Sequence, residues 1–313
     1  MPLKAYSFSE NESLNMGIHD KVLFEQEKLL ASEFVEGHPC RAESAPCPFC
    51  ESGDTERFAA IGGAMYLRCK NCWSLFVAAG REILAKYQKY TPLINFRASE
   101  KYQETARLKR EAVWRKQLFW VEFRSARYLK PLSGLGVVEI FGRYKGFSEL
   151  AKQYCASYEV FNSADEAQGQ ADIILYLGSL TFEPEPLRAL RHMRRLLKRN
   201  GLLFLDSRVG TGFDILTLKG MIDNIFPYEH AILPSTEALE LILKKAGFGV
   251  LEISTPGTLD MRYVMENSSK LERGDLFTRY LVEKSDDRAR SEFQRFLQKN
   301  TVSSYAQLVA RVE

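Results

Sequence analysis

The stretch Val137-Val138-Glu139-Ile140-Phe141-Gly142-Arg143-Tyr144-Lys145-Gly146-Phe147 constrains the fold more than any other part of the chain. An apolar run closes on an acid, passes through a glycine-containing turn and enters a helix-like segment from Phe147 to Cys155. Strand, tight loop and helix in that order open a nucleotide-binding α/β unit. Ala171-Asp172-Ile173-Ile174-Leu175-Tyr176 and Leu202-Leu203-Phe204-Leu205-Asp206 read as two further buried strands. Between them, residues 184–199 place Leu187, Leu190, Met193, Leu196 and Leu197 on one side of a helix, which Asn200-Gly201 is predicted to end. Strands alternating with helices predict an α/β fold with a parallel sheet.

These same residues carry a resemblance. The 137–147 stretch resembles the first motif of class I S-adenosylmethionine (SAM)-dependent methyltransferases, an apolar strand and a Glu followed by glycines at alternate positions. Aligned without gaps on Glu139, those positions hold Phe141, Arg143 and Lys145. RLLKRNGLLFLD (195–206) resembles the family's leucine-rich helix, Lys-Pro-Gly-Gly turn and strand, with Arg199 and Asn200 replacing the Pro and first Gly. His230 followed by residues 235–254 resembles the late helix and sixth strand, and 296–312 the last helix and strand. The resemblance implies a Rossmann-like class I methyltransferase sheet over 131–313. It would place SAM against Glu139, Gly142 and Gly146, with Asp165 at the ribose and His230 as a catalytic base.

One departure concerns topology. Tyr158 to Ser163 reads as the second strand, and the acid that would hold the ribose falls on Ala164, with Asp165 one residue late. Only about eight residues remain before the strand at Ala171, whereas a parallel crossover needs at least about 10–12. The sheet is therefore expected to lack its third strand, an edge strand that also flanks the cofactor's adenine. Altered glycines, a displaced acid and a missing edge together make SAM a doubtful cofactor.

Cys47-Pro48-Phe49-Cys50 and Cys69-Lys70-Asn71-Cys72 are two CxxC pairs with residues 51–68 between them. Each pair can form a tight knuckle, and four thiolates complete a closed tetrahedral zinc site. Phe58 to Ile61, Gly62-Gly63 and Ala64 to Arg68 read as a hairpin that brings the second pair beside the first. His38 and Cys40 are expected to be bystanders, and Cys155 a core residue. A zinc ribbon, then helices, then the α/β core resembles a bacterial group of zinc-ribbon methyltransferases that act in sugar, surface-polysaccharide or natural-product modification. Thr211-Gly212-Phe213-Asp214 and residues 254–264 resemble that group too, and both would lie on loops after strands, where α/β folds place their sites.

The expected organisation is an N-terminal helical arm over 1–40, the zinc ribbon over 41–80, a helical connector over 81–130 and the methyltransferase-like domain over 131–313. Apolar and charged contents of 45% and 27% are ordinary for a globular protein. No apolar run reaches the roughly 18 residues of a membrane span, and residues 1–20 hold no signal-peptide core. Paired cysteines without a leader point to a reducing, cytoplasmic setting. Basic residues concentrate in two predicted helices. Residues 101–130 carry nine Lys or Arg against three Glu, and 187–199 carry Arg188, Arg191, Arg194, Arg195, Lys198 and Arg199 without an acid. Such faces fit an acidic protein partner or another anionic ligand. Nucleic acid fits less well, because no recognised nucleic-acid module accompanies the charge. Three functions follow: a non-catalytic methyltransferase-like scaffold (a pseudoenzyme), an active methyltransferase on a sugar or small metabolite, and a zinc-ribbon nucleic-acid-binding protein.

Overall fold

A computed structural model describes residues 3–4, 21–40, 44–79, 81–142, 145–271 and 275–313. Arg143, and most of the 1–40 arm before Lys21, lie outside the described residues. The strands are β1 (Leu3–Lys4), β2 (Thr55–Ile61), β3 (Ala64–Cys69), β4 (Leu75–Val77), β5 (Gly136–Ile140), β6 (Ser157–Phe161), β7 (Ala171–Leu177), β8 (Leu197–Arg208), β9 (Ile232–Leu233), β10 (Phe248–Ser254) and β11 (Tyr305–Val312). The helices are α1 (Lys21–Gly37), α2 (Arg81–Gln88), α3 (Thr91–Ala98), α4 (Glu100–Tyr128), α5 (Lys145–Ala151), α6 (Pro186–Leu196), α7 (Phe213–Leu218), α8 (Thr236–Ala246), α9 (Asp260–Glu266), α10 (Leu276–Lys284) and α11 (Asp287–Lys299). Among the described residues, no helix is long and apolar enough to cross a membrane.

The main sheet has the order β1-β10-β11-β8-β7-β5-β6. β5, β6, β7 and β8 run parallel, and β11 lies antiparallel between β8 and β10. Residues 162–170 form no strand, so β6 is the sheet's edge and the third strand is absent, as the short spacing requires. The same segment instead buries Ala164 and Ala167 in the apolar cluster that holds Ile140 and Ile174, against which Phe141 and Phe161 also pack. At the opposite edge β1 adds a short parallel strand to β10.

Two element boundaries differ from the sequence reading. The helix predicted to 199 ends at Leu196, and β8 begins at once. Asn200 adopts φ +64° inside the strand, where the β7–β8 register shifts. Asn tolerates the left-handed region, and a side chain at Gly201 would meet the Lys198 carbonyl oxygen at 2.9 Å. Asn200-Gly201 therefore kinks a strand where it was expected to cap a helix. The last helix likewise starts at Asp287, capped by the Asp286 carboxylate, ahead of the expected 296.

Residues 99–129 make one helix. Ser99 caps α4 by accepting from the Tyr102 N–H, and no Gly or Pro interrupts its length. Arg110, Trp114, Gln117, Val121 and Ser125 form its buried stripe at helical spacing. Its C-terminal end is pinned to the sheet by buried Glu252, which accepts from Arg124 Nε (2.9 Å), Arg127 Nη1 (3.3 Å) and the Tyr128 hydroxyl. Phe119 and Phe123 stack on the opposite, exposed side.

The ribbon is not a free-standing unit. β2 and β3 form the expected hairpin, with Gly62 and Gly63 at φ +54° and +86° as its type of two-residue turn requires. β4 extends this sheet, and its other neighbour is β9, from the middle of the 131–313 region. Cys47, Phe49, Cys69 and Cys72 sit in the same apolar cluster as Leu190 and Met193 of α6 and Leu239 and Leu243 of α8.

Candidate functional site

The four ribbon cysteines converge. Their sulfurs all lie within 4.8 Å of one another, with Cys47 to Cys72 at 3.5 Å and Cys50 to Cys69 at 3.4 Å. A tetrahedral zinc with sulfur ligands would space them by about 3.8 Å, so the donor set and its dimensions fit that ion. Both knuckles repeat one backbone pattern. Cys47 N–H donates to Ser52 and Glu51 N–H returns to Cys47, and Cys69 pairs with Ser74 and Trp73 in the same way, all at 2.9 Å. Glu51 and Trp73, each the residue after a second cysteine, take φ +66° and +62°. The hydrogen bond from Cys47, with others from Ser74, holds the Cys72 thiol down to about 5. The knuckle is wired into the larger domain: the buried Ser74 hydroxyl lies 3.3 Å from Cys72 Sγ and accepts from the Ser235 N–H, at the N-cap of α8 (3.2 Å).

A second site lies at the C-terminal edge of the parallel strands, as expected for an α/β sheet. A cavity of about 150 Å³ is walled by Glu139, Leu177, Gly178, Arg208 and Tyr305 from the strand ends. Arg110 and Gln117 of α4 roof it, and Asn224, His230, Thr258 and Asp260 close its far side. Most of these residues carry no sequence signal, because strand and helix periodicity cannot distinguish a core position from one facing a cavity. Only Glu139, His230 and the 254–264 stretch, which supplies Thr258 and Asp260, stood out.

After β5 the chain passes through Phe141 and Gly142, where the resembled motif begins its glycines. Phe141 holds φ +60°, a conformation that costs a bulky residue about 1–3 kcal/mol. Its ring packs edge-on to Phe182 (5.2 Å) and tilted against Tyr176 (6.3 Å). A side chain at Gly142 would strike Val160 at 2.4 Å, and one at Gly146 would strike the Trp114 ring at 2.5 Å. Both glycines are therefore needed for close packing within the protein. Glu139 is buried, accepts from the Ser148 (2.6 Å) and Tyr158 (2.7 Å) hydroxyls, and is pushed up by its burial.

Asp165 lies away from this cavity, in an exposed ion pair with Arg188 (2.8 Å) that also engages Glu185. His230 lines the cavity. Its Nδ1 accepts from the Phe226 N–H (3.1 Å), so in the neutral ring the proton resides on Nε2, where the side chain donates rather than accepts. The predicted basic face of α6 is partly engaged within the protein: Arg194 binds the Gly247 and Glu313 carbonyls, and Lys198 binds Asp172.

Asp206 is fully buried at the end of β8 and accepts from Gln117. Burial pushes its carboxyl up to about 6, despite help for the ionised form from Tyr305, Gln117 and the Gly178 backbone. The folded value exceeds the unfolded one, so Asp206 stabilises most below about pH 4, and that contribution is lost as pH rises through 6. The rise is worth up to about 3 kcal/mol. Asp206→Asn is therefore expected to raise the melting temperature at pH 8 and to flatten its fall between pH 4.5 and 7. An unchanged pH profile would place the titration elsewhere.

No family model matches the sequence, and no curated protein matches it. Among solved structures, the chain is similar to a putative sarcosine dimethylglycine methyltransferase from Galdieria sulphuraria, at 14% identity over 64% of this chain and 87% of that one, with a TM-score of 0.41. A SAM-dependent methyltransferase from Thermotoga maritima, a possible histamine N-methyltransferase, matches at 17% identity over 66% and 94%, with a TM-score of 0.37. Phosphoethanolamine N-methyltransferase 2 of Haemonchus contortus, in complex with S-adenosyl-L-methionine, matches at 13% over 70% and 59%, with a TM-score of 0.41. The strand order is the firmer ground: first, second, fourth and fifth strands parallel, the last strand inserted antiparallel between the fifth and sixth. By that order the chain has the fold of the class I SAM-dependent methyltransferases, without the outer third strand and with a four-cysteine ribbon built into its side.

Proposed function

We propose that this chain is a methyltransferase-fold binding protein that does not catalyse methyl transfer, braced by a structural zinc ion on Cys47, Cys50, Cys69 and Cys72. With four protein sulfurs, such an ion has no open position and supplies rigidity alone. The observation that carries the non-catalytic reading is Trp114. Its ring lies where any side chain at Gly146 would go, so the connector helix packs directly on the start of α5. Phe141 packs against the apolar cluster that holds Ala164 and Ala167. The strand-end cavity, about 150 Å³, is below the roughly 300 Å³ at which sites for cofactor-sized ligands begin. A second space of about 540 Å³ beside Trp114 and Gly146 is an open one edged by charged residues of α4 and α5. These residues do not fit SAM, and Asp165, the candidate ribose acid, is held by Arg188. In this reading the basic faces of α4 and α6 serve an acidic protein partner.

Calorimetric titration of the zinc-loaded protein with SAM and with S-adenosylhomocysteine tests the reading. No heat and no thermal shift are expected up to millimolar ligand. One-to-one binding of either would overturn it and return the active methyltransferase to first place.

A further inference from the structure

The cavity at the strand ends carries polar groups that the fold leaves unanswered. Asn224 Nδ2 and Oδ1, Arg208 Nε and Thr258 Oγ1 are buried, and none has a hydrogen-bond partner. All three residues line the same cavity, yet they come from the end of β8, the stretch between α7 and β9, and the loop between β10 and α9. Buried polar atoms are almost always paired, so three such residues lining one cavity mark a place for a polar guest.

Their chemistry restricts that guest. Arg208 is held in place, with Nη1 donating to the Asn224 carbonyl and Nη2 to Asp214 Oδ2, both at 3.0 Å, which aims a fixed Nε–H. Asn224 offers two further N–H bonds and Thr258 a hydroxyl, against which only the Asn224 oxygen and the Thr258 lone pairs accept. The buried Arg110 guanidinium lines the roof of the same cavity. The acids on the wall are already engaged. Glu139 takes two hydroxyls, Asp260 takes Gln294, Ser303 and the Ser304 N–H, and Glu27 and Glu229 share Arg97. A donor-rich wall asks for an acceptor-rich ligand. The volume of about 150 Å³ equals that of about five molecules of liquid water, so the ligand is small.

We infer that the cavity binds a small hydroxy- or oxocarboxylate, of the size of lactate, glycerate or pyruvate. Its carboxylate takes the Arg208 Nε–H and the Asn224 amide, and Thr258 takes its hydroxyl or oxo group. This rests on the reading above only in that no cofactor fills the neighbouring space.

The test is titration of the full-length, zinc-loaded protein with L-lactate, D-glycerate and pyruvate, followed by calorimetry and thermal shift, with glycerol as the neutral control. At least one carboxylate is expected to bind saturably at one-to-one stoichiometry, and glycerol is not. Asn224→Leu and Thr258→Val, each expected to melt near the wild type, should each weaken that binding about tenfold. Silence from all three carboxylates at about 10 mM, where even a weak site would saturate, means a cavity holding water only, and overturns the inference. An equal response to glycerol overturns it too, as does wild-type binding by both variants. The titrations contain no SAM, so a positive SAM titration would sink the earlier reading without deciding this one.

Discussion

Removing metal from the four-cysteine site is expected to unfold far more than the ribbon. Cys47, Cys69 and Cys72 are buried in one apolar cluster with α6 and α8, and Ser74 ties Cys72 to the start of α8. Without an ion, the cluster leaves polar sulfur groups crowded inside the core, and the knuckles lose the bonds that hold their left-handed residues. Structural zinc contributes about 10–16 kcal/mol of apparent binding free energy in small zinc modules, which exceeds the whole stability of many domains. Chelation, or Cys69→Ser, should therefore abolish zinc stoichiometry and lower the melting temperature in a single transition that includes the main sheet. Cys155→Ser, which touches a different cluster, should leave the zinc content intact. Two separate transitions, with the main sheet melting as before, would show that the ribbon is an independent module.

Trp114→Ala is expected to have the next largest effect. The ring is buried against α5, and truncating a buried Trp costs about 3–5 kcal/mol through lost contacts and the cavity left behind. The variant also opens the space above Gly146, which makes it informative about function. SAM should still fail to bind, because the edge strand that would flank adenine is absent, the 162–170 segment burying Ala164 and Ala167 in the core without forming a strand. Adding Phe141→Gly should relieve a strained backbone but sacrifice the contacts with Tyr176 and Phe182. Recovery of SAM binding in Trp114→Ala alone would mean that the connector helix was the sole obstacle and the missing strand dispensable.

What the sequence disclosed follows from which forces act locally. The alternation of strands and helices, the absent third strand and the CxxC knuckles were legible because apolar runs, chain reach and thiol spacing are properties of short segments, whereas the type of sheet came only from the family resemblance. Asn200-Gly201 misled because a left-handed residue closes a helix or kinks a strand with equal ease, and only the neighbouring strand decides. Trp114 could be recognised as a buried aromatic, but nothing in α4 showed that it meets Gly146. Arg110 and Asn224 were invisible for the same reason, and Thr258 entered only as part of the 254–264 stretch: a polar residue facing a cavity and one facing water look alike until the distant segments are brought together.

The pairing of β4 with β9 also bears on how the chain is made. Ser74 waits for Ser235, 161 residues later, before its hydroxyl finds its partner. Until then the ribbon shows one unpaired strand edge and an apolar face that has nothing to cover it. Contacts this distant along the chain slow folding, since a long loop must close before any of them stabilises the product. During synthesis the emerging cysteines would thus be exposed to oxidation and to wrong strand partners for many seconds. Early metal capture would protect those thiols, so the ion that braces the finished protein should also govern how much of it is recovered when zinc is scarce.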